Sequence, residues 1–324
     1  MKRSKKAALI VAAILFACGA VLAGVGLSLR PLDDKASMFA PVYLDHTIVV
    51  SEDFLHITVN RTDCDVSFYQ ASDGECRVVC HAPSGVRHTA KVEEDTLTLR
   101  EEDTRRWFEK IGVWAENSRI EIYLPQTTYQ RLSITTSTGD ITIPAWCMFE
   151  LANVQSDTGD IVINGMAIQS FLAIITDTGD VTISDTNSLP KISISSQTGD
   201  INLVRVKDAN RLSVGTDTGD VAFKECSSAW MFALVNTGDA LISDCTADRL
   251  AIRVDTGDVE ICDIDAGELS FTTTTGDVKG TILSPKDFEV ETSTGHVNVP
   301  ASVAGAGKCS VTTSTGDIEI RIQE

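Results

Sequence analysis

The carboxylates are the groups in this sequence best placed to do chemistry, and their spacing is regular. A Thr-Gly-Asp triplet recurs every 19–21 residues. It supplies Gly139 and Asp140, Gly159 and Asp160, Gly179 and Asp180, Gly199 and Asp200, and Gly219 and Asp220. The series continues through Gly238 and Asp239, Gly257 and Asp258, Gly276 and Asp277, and Gly316 and Asp317, with Thr294-Gly295-His296 as a variant copy. Four copies read Asp-Thr-Gly, at Asp157, Asp177, Asp217 and Asp255, which is the catalytic tripeptide of aspartic proteases. That chemistry needs two such loops facing each other so that two carboxylates share a proton. One tripeptide recurring along a single edge does not supply the facing partner. Stacked copies would instead bring Asp157, Asp160, Asp177 and Asp180 together, the four candidate ligands for Ca²⁺, a cation that takes roughly six to eight oxygens. Carboxylates about 5 Å apart repel by roughly 1 kcal/mol in water and about 3 kcal/mol at an effective dielectric of about 20. Turn hydrogen bonds and solvent can offset that repulsion without an ion, and no other cofactor is expected.

The remaining chemistry-bearing residues are scattered. His46, His56, His81, His88 and His296 show no metal or triad spacing, so surface or linker placement is the expectation. Of the nine cysteines, Cys18 lies in an apolar N-terminal run, and none of the other eight forms a paired Cys-x-x-Cys zinc motif. No phosphate loop, nucleophile elbow or dinucleotide fingerprint appears.

Positioning the corner residues falls to the columns around them. Five residues before each glycine the chain carries Ile134, Val154, Ile174, Ile194, Val214 and their apolar equivalents. Two and four residues after it stand pairs such as Ile141 and Ile143, Ile161 and Ile163, or Val181 and Ile183. Alternation of period two, rich in β-branched residues, predicts strands with one buried face. Each copy is thus a strand, a Gly-Asp corner, a second strand and a connection. One copy buries too little to stand alone, so neighbours must stack and share a core. The expected fold is all-β, a β-solenoid of about ten coils, roughly 45–50 Å long at ~4.8 Å per coil. Glycine suits a corner that needs φ > 0 or close backbone approach, and aspartate can accept backbone N–H bonds there. Three before the glycine, Thr136, Ser156, Thr176, Ser196, Thr216, Thr273, Thr292 and Thr313 form an inward hydroxyl ladder expected to bond along the stack. Seven after it runs a mostly apolar column from Trp146 and Met166 to Leu283, in which Cys226 and Cys245 read as small core residues stacked within disulfide range.

Composition narrows the function classes. The chain has 324 residues and a formal charge of −19 from 27 Lys+Arg and 46 Asp+Glu, which excludes a nucleic-acid partner. Residues 1–30 hold five of the bases and no acid, so the rest carries 22 bases against 46 acids, or −24. Residues 1–6 read as a basic cytoplasmic tail and 7–29, broken only by Ser28, as a single transmembrane helix, placing the remainder outside the cytoplasm. The run is longer than a signal-peptide core. Leu15-Phe16-Ala17-Cys18-Gly19 loosely resembles a lipoprotein box with Cys18 as the lipidated residue, but Phe16 fits poorly and apolar residues continue past it.

Residues 30–45 read as a linker, 46–130 as degenerate β coils with a charged insertion, and 131–324 as the regular solenoid. Asp65-Val66-Ser67-Phe68 takes the place of Asp140-Ile141-Thr142-Ile143. The segment Glu101–Asn117, with Trp107, Phe108 and Trp114, is expected to cap the first coils or to form a contact surface. Glu319, Arg321 and Glu324 on the last strand read as edge charges that discourage aggregation.

The array Ser-Thr-Gly-Asp-Ile-Thr-Ile, Asp-Thr-Gly-Asp-Ile-Val-Ile, entered through Ile120-Glu121-Ile122-Tyr123-Leu124-Pro125, resembles the putative adhesin family of bacterial membrane proteins over about residues 45–322. That family is a β-strand repeat domain of unknown function, and its Gram-positive members commonly carry a basic N-terminal anchor. The resemblance implies a non-enzymatic, membrane-anchored adhesin or cell-envelope contact surface, with a cell-wall polymer or an envelope protein as partner. Some members accompany envelope-stress systems, which implies as the alternative a sensor or accessory of a membrane signalling partner. It offers no catalytic residues, and His296 departs from its corner pattern.

Overall fold

The structure is a computed structural model that describes residues 42–106, 118–187 and 190–323. The tail, the expected transmembrane helix over 7–29, Cys18, and Trp107, Phe108 and Trp114 lie outside the described residues. Among those described, regular structure is all β, and no helix is long and apolar enough to cross a membrane. Tyr43–Glu324 forms one compact unit.

Seven strands precede the regular array: β1 (Tyr43–Val50), β2 (His56–Thr62), β3 (Asp65–Gln70), β4 (Cys76–Pro83), β5 (Val86–Glu93), β6 (Thr96–Asp103) and β7 (Arg119–Leu124). β1 therefore begins inside the stretch read as linker. Long and short strands then alternate: β8 (Thr128–Thr138), β9 (Ile141–Ile143), β10 (Met148–Thr158), β11 (Ile161–Asn164), β12 (Ala167–Thr178) and β13 (Val181–Ser184). The alternation continues with β14 (Lys191–Thr198), β15 (Ile201–Val204), β16 (Ala209–Thr218), β17 (Val221–Lys224), β18 (Ser227–Thr237), β19 (Ala240–Ser243) and β20 (Thr246–Thr256). β21 (Val259–Thr275) runs through a short and a long side without a break. The chain closes with β22 (Val278–Ile282), β23 (Lys286–Thr294), β24 (Val297–Asn298), β25 (Gly307–Thr315) and β26 (Ile318–Ile322).

Long strands stack in parallel into one sheet and short strands into another, giving a β-solenoid of about ten turns. Ile134, Val154, Ile174, Ile194 and Val214 lie directly over one another, as do Ile141, Ile161, Val181, Ile201 and Val221. All ten are buried between the sheets, and each burial contributes roughly 1.5–3 kcal/mol. The column after the corner is buried from Met166 to Ile264, but it shifts by one residue at its ends. Cys147 and Ile282 are buried there, while Trp146 is half-buried and Leu283 exposed. A second corner follows each of several short strands, with Asp185, Arg205, Glu225, Asp244 and Asp263 in the left-handed region at φ 53–56°.

Stacking order departs from sequence order at both ends. At the first end β6 and β7 lie outside β2 and β3, which pair with β8 and β9. Antiparallel strands finish that end, β5 on β6, and β4 then β1 on β7. At the far end the last coil, β25 and β26, is inserted between β21 and β22 on one side and β23 and β24 on the other. The final strand is therefore internal, and Glu319 and Arg321 are not edge charges; they pair with each other on the sheet surface. Glu324 lies outside the described residues. The true edge is β23: Ser302 and Val303 cover its first residues, Asp287 accepts from Ser302, Glu289 pairs with Lys308, and the exposed Glu291 carries charge that discourages further pairing.

Candidate functional site

Three places in the solenoid carry polar or reactive side chains in a defined arrangement. The first is the Gly-Asp corner. Gly159 has φ +131°, and a Cβ there would sit 2.2 Å from the Gly139 carbonyl oxygen; Gly179 and Gly199 repeat this. Positive φ and backbone crowding thus both demand glycine. The aspartate does not cap its own turn. Asp160 N–H donates to Asp140 Oδ1 at 2.8 Å, Asp180 N–H to Asp160 Oδ1, and so on up the stack. The ladder starts at Asp65, which receives Asp140 N–H, and ends at His296, whose N–H donates to Asp317 Oδ1. His296 belongs to the outermost coil, which offers no further N–H to accept, so an aspartate has no work there. At Asp277 the Lys279 ammonium, together with the Asp317 N–H, holds the carboxyl below the usual range.

Of the Ca²⁺ candidates, Asp160 is engaged in this ladder through Oδ1 and Asp177 Oδ1 receives Gln197 Nε2 at 2.7 Å. Asp157, Asp160, Asp177 and Asp180 do not form a group whose donor atoms converge within 4.8 Å. The hydroxyl ladder behind the corner is buried as expected except at Thr292, which is half-buried. Thr136 bonds Ser156, while Thr216, Thr273, Thr292 and Thr313 donate to a neighbouring corner glycine carbonyl. Thr176 and Ser196 make no hydrogen bond. Cys226 and Cys245 are buried and unbridged, with Cys226 N–H 3.4 Å from Cys245 Sγ.

The second place is the outward face of the long-strand sheet. One column stacks Lys191, Arg211, Trp230 and Arg249 in register, beginning beside Phe171. The Lys191 ammonium lies 4.9 Å from the Phe171 ring centre, the Arg211 guanidinium 3.5 Å from that of Trp230, and Trp230 stacks on Phe232 at 5.9 Å. Lys191 and Arg211 are exposed, and among the described residues neither pairs with a carboxylate. The column was not recognised from sequence, although its spacing follows the repeat.

The third place was not legible at all. Cys64 at the β2–β3 corner, His88 on β5 and Glu101 on β6 meet inside the first end of the solenoid. Cys64 Sγ is 3.8 Å from both His88 Nε2 and Glu101 Oε2, and those two atoms are 3.3 Å apart. His88, expected at the surface, is 5% exposed. Asp63 N–H donates to Glu101 Oε2 at 3.1 Å. Burial pushes the Cys64 thiol strongly up, and the Glu101 charge adds to this. Burial would raise Glu101 as well, but the His88 ring and the Asp63 N–H outweigh it and hold the carboxyl low. Beside the cluster a groove of about 890 Å³ opens between β1 and β4 on one side and β5 on the other, lined by Ile48, Cys80, Ala82, Val86, His88 and Ala90 among others.

Fold and corner together define a Gly-Asp β-solenoid. The chain belongs to the Toastrack family (DUF4097), whose model matches residues 54–225 and 207–324. No curated protein matches it. Solved structures similar to it include a "putative adhesin" from Bacteroides fragilis NCTC 9343, at 14% identity over 86% of this chain and 97% of that one, TM-score 0.39. Another is a "putative lipid binding protein" from Parabacteroides distasonis ATCC 8503, at 12% identity over 86% and 96%, TM-score 0.44.

Proposed function

We propose that this chain is a membrane-anchored, non-enzymatic module of the cell envelope whose solenoid stands outside the cytoplasm and binds an anionic, repetitive envelope polymer. The observation that carries the reading is the column Phe171, Lys191, Arg211, Trp230 and Arg249. A chain of net charge −19 would repel an anionic polymer over most of its surface. Along this column it instead presents two unpaired cations, Lys191 and Arg211, one strand spacing apart and flanked by ring faces, while Arg249 beyond Trp230 pairs with Glu268. Arginine and aromatic side chains are the groups that concentrate binding energy at contact surfaces. The N-terminal tail and apolar run, Lys2 to Leu29, supply the anchor in this reading.

Co-sedimentation of the full-length protein in detergent with isolated cell wall tests it. The wild type should pellet with the wall and be released by salt. Lys191→Glu with Arg211→Glu, or Trp230→Ala alone, should weaken binding roughly tenfold or more. Unchanged binding by both variants would remove the column from the account.

A further inference from the structure

We infer that Cys64, His88 and Glu101 form a binding site for one divalent transition-metal ion of the zinc class. The donor set is sulfur, imidazole nitrogen and carboxylate oxygen, the ligands that borderline-soft, tetrahedral ions take. Metal–ligand lengths of about 2.3, 2.05 and 2.1 Å at tetrahedral angles put the sulfur ~3.6 Å from both the nitrogen and the oxygen, with nitrogen and oxygen ~3.4 Å apart. The observed separations are 3.8, 3.8 and 3.3 Å, so shifts of a few tenths of an ångström would close the site.

Charge points the same way. Binding M²⁺ displaces the thiol proton to solvent, leaving thiolate, carboxylate and neutral imidazole around the ion. The product has no net charge, which is what a buried position requires. The three ligands come from the β2–β3 corner and two paired strands, and the Asp63 N–H already orients Glu101. His88 also lines the groove beside the cluster. A nucleophile–base–acid triad would use both ring nitrogens of the histidine. Here Cys64 and Glu101 share Nε2, which suits a common ion instead.

The test titrates the full-length protein in detergent, stripped with chelator, with Co²⁺ as probe. One ion per chain should bind with a thiolate-to-cobalt charge-transfer band and the intense visible bands of tetrahedral Co²⁺, and Zn²⁺ should displace it. Binding should weaken as pH falls, because a proton is released. Cys64→Ser, His88→Gln and Glu101→Gln should each lower affinity by more than about 100-fold, while Cys262→Ser, which alters the exposed cysteine, should change nothing. A wild-type protein without the charge-transfer band overturns the proposal, whatever the variants do. So does a band that survives both His88→Gln and Glu101→Gln or disappears in Cys262→Ser.

Discussion

Each corner aspartate works across the stack: the Asp200 carboxylate receives the N–H of Asp220, as Asp180 receives that of Asp200. Asp200→Ala should cost about 1 kcal/mol, read as a lower urea midpoint, whereas His296→Ala, past the last rung, should leave the midpoint unchanged. Gly199→Ala should be far worse, on the order of 3 kcal/mol, because its Cβ would meet the Gly179 oxygen at 2.1 Å. The buried thiols make a separate prediction. Burial pushes Cys76, Cys80, Cys147 and Cys309 up to about 12 from the ordinary 9.0. A raised folded-state value means the stability is fully present below about pH 9 and is lost as pH climbs towards 12. Thermal melts across that window should fall, and fall less steeply in Cys147→Val. The corner was legible in the sequence because every coil repeats it. Cys64, His88 and Glu101 were not, since 24 and 37 residues separate Cys64 from its partners and no period relates them.

Strand existence followed from the two-residue alternation, but strand order at the ends did not. Nearly identical coils pair equally well with several neighbours, so local sequence does not say which one is adjacent. A signal was nevertheless present, because the copy that lacks the corner aspartate is the ninth, at Gly295, and not the tenth. A missing acceptor marks the outermost rung. The inserted coil is also clamped: Lys286 on β23, 4% exposed, crosses Gly307 and donates to the Ala266 carbonyl beyond it. Gly307 has to be glycine, since a Cβ would stand 2.1 Å from the Gly267 oxygen. Deleting residues 307–324 should therefore strip β23 and β24 of their only parallel partners among the described strands. Hydrogen exchange should then show 286–298 unprotected, and the bared β21 and β22 edges should promote aggregation. Retained protection over 286–298 would contradict the inserted order.

At the scale of the whole molecule, 46 acids and 27 bases are distributed by position more than by number. Acids occupy the corner ladder, where neighbouring N–H groups and solvent offset them, and the β23 edge, where Glu291 discourages pairing. Two unpaired bases with aromatic neighbours, Lys191 and Arg211, lie in one column of the long sheet. Such a division suits a molecule that resists self-association while gripping something else along one face. On the proposed reading that face stands outside the cytoplasm. Cys262 reports it, being exposed while Cys64, Cys76, Cys80, Cys147, Cys226, Cys245 and Cys309 are buried. Intact cells should be treated with a membrane-impermeant maleimide, with Cys262→Ser as the control. The account predicts labelling of Cys262 without permeabilisation, and labelling only after permeabilisation would contradict it.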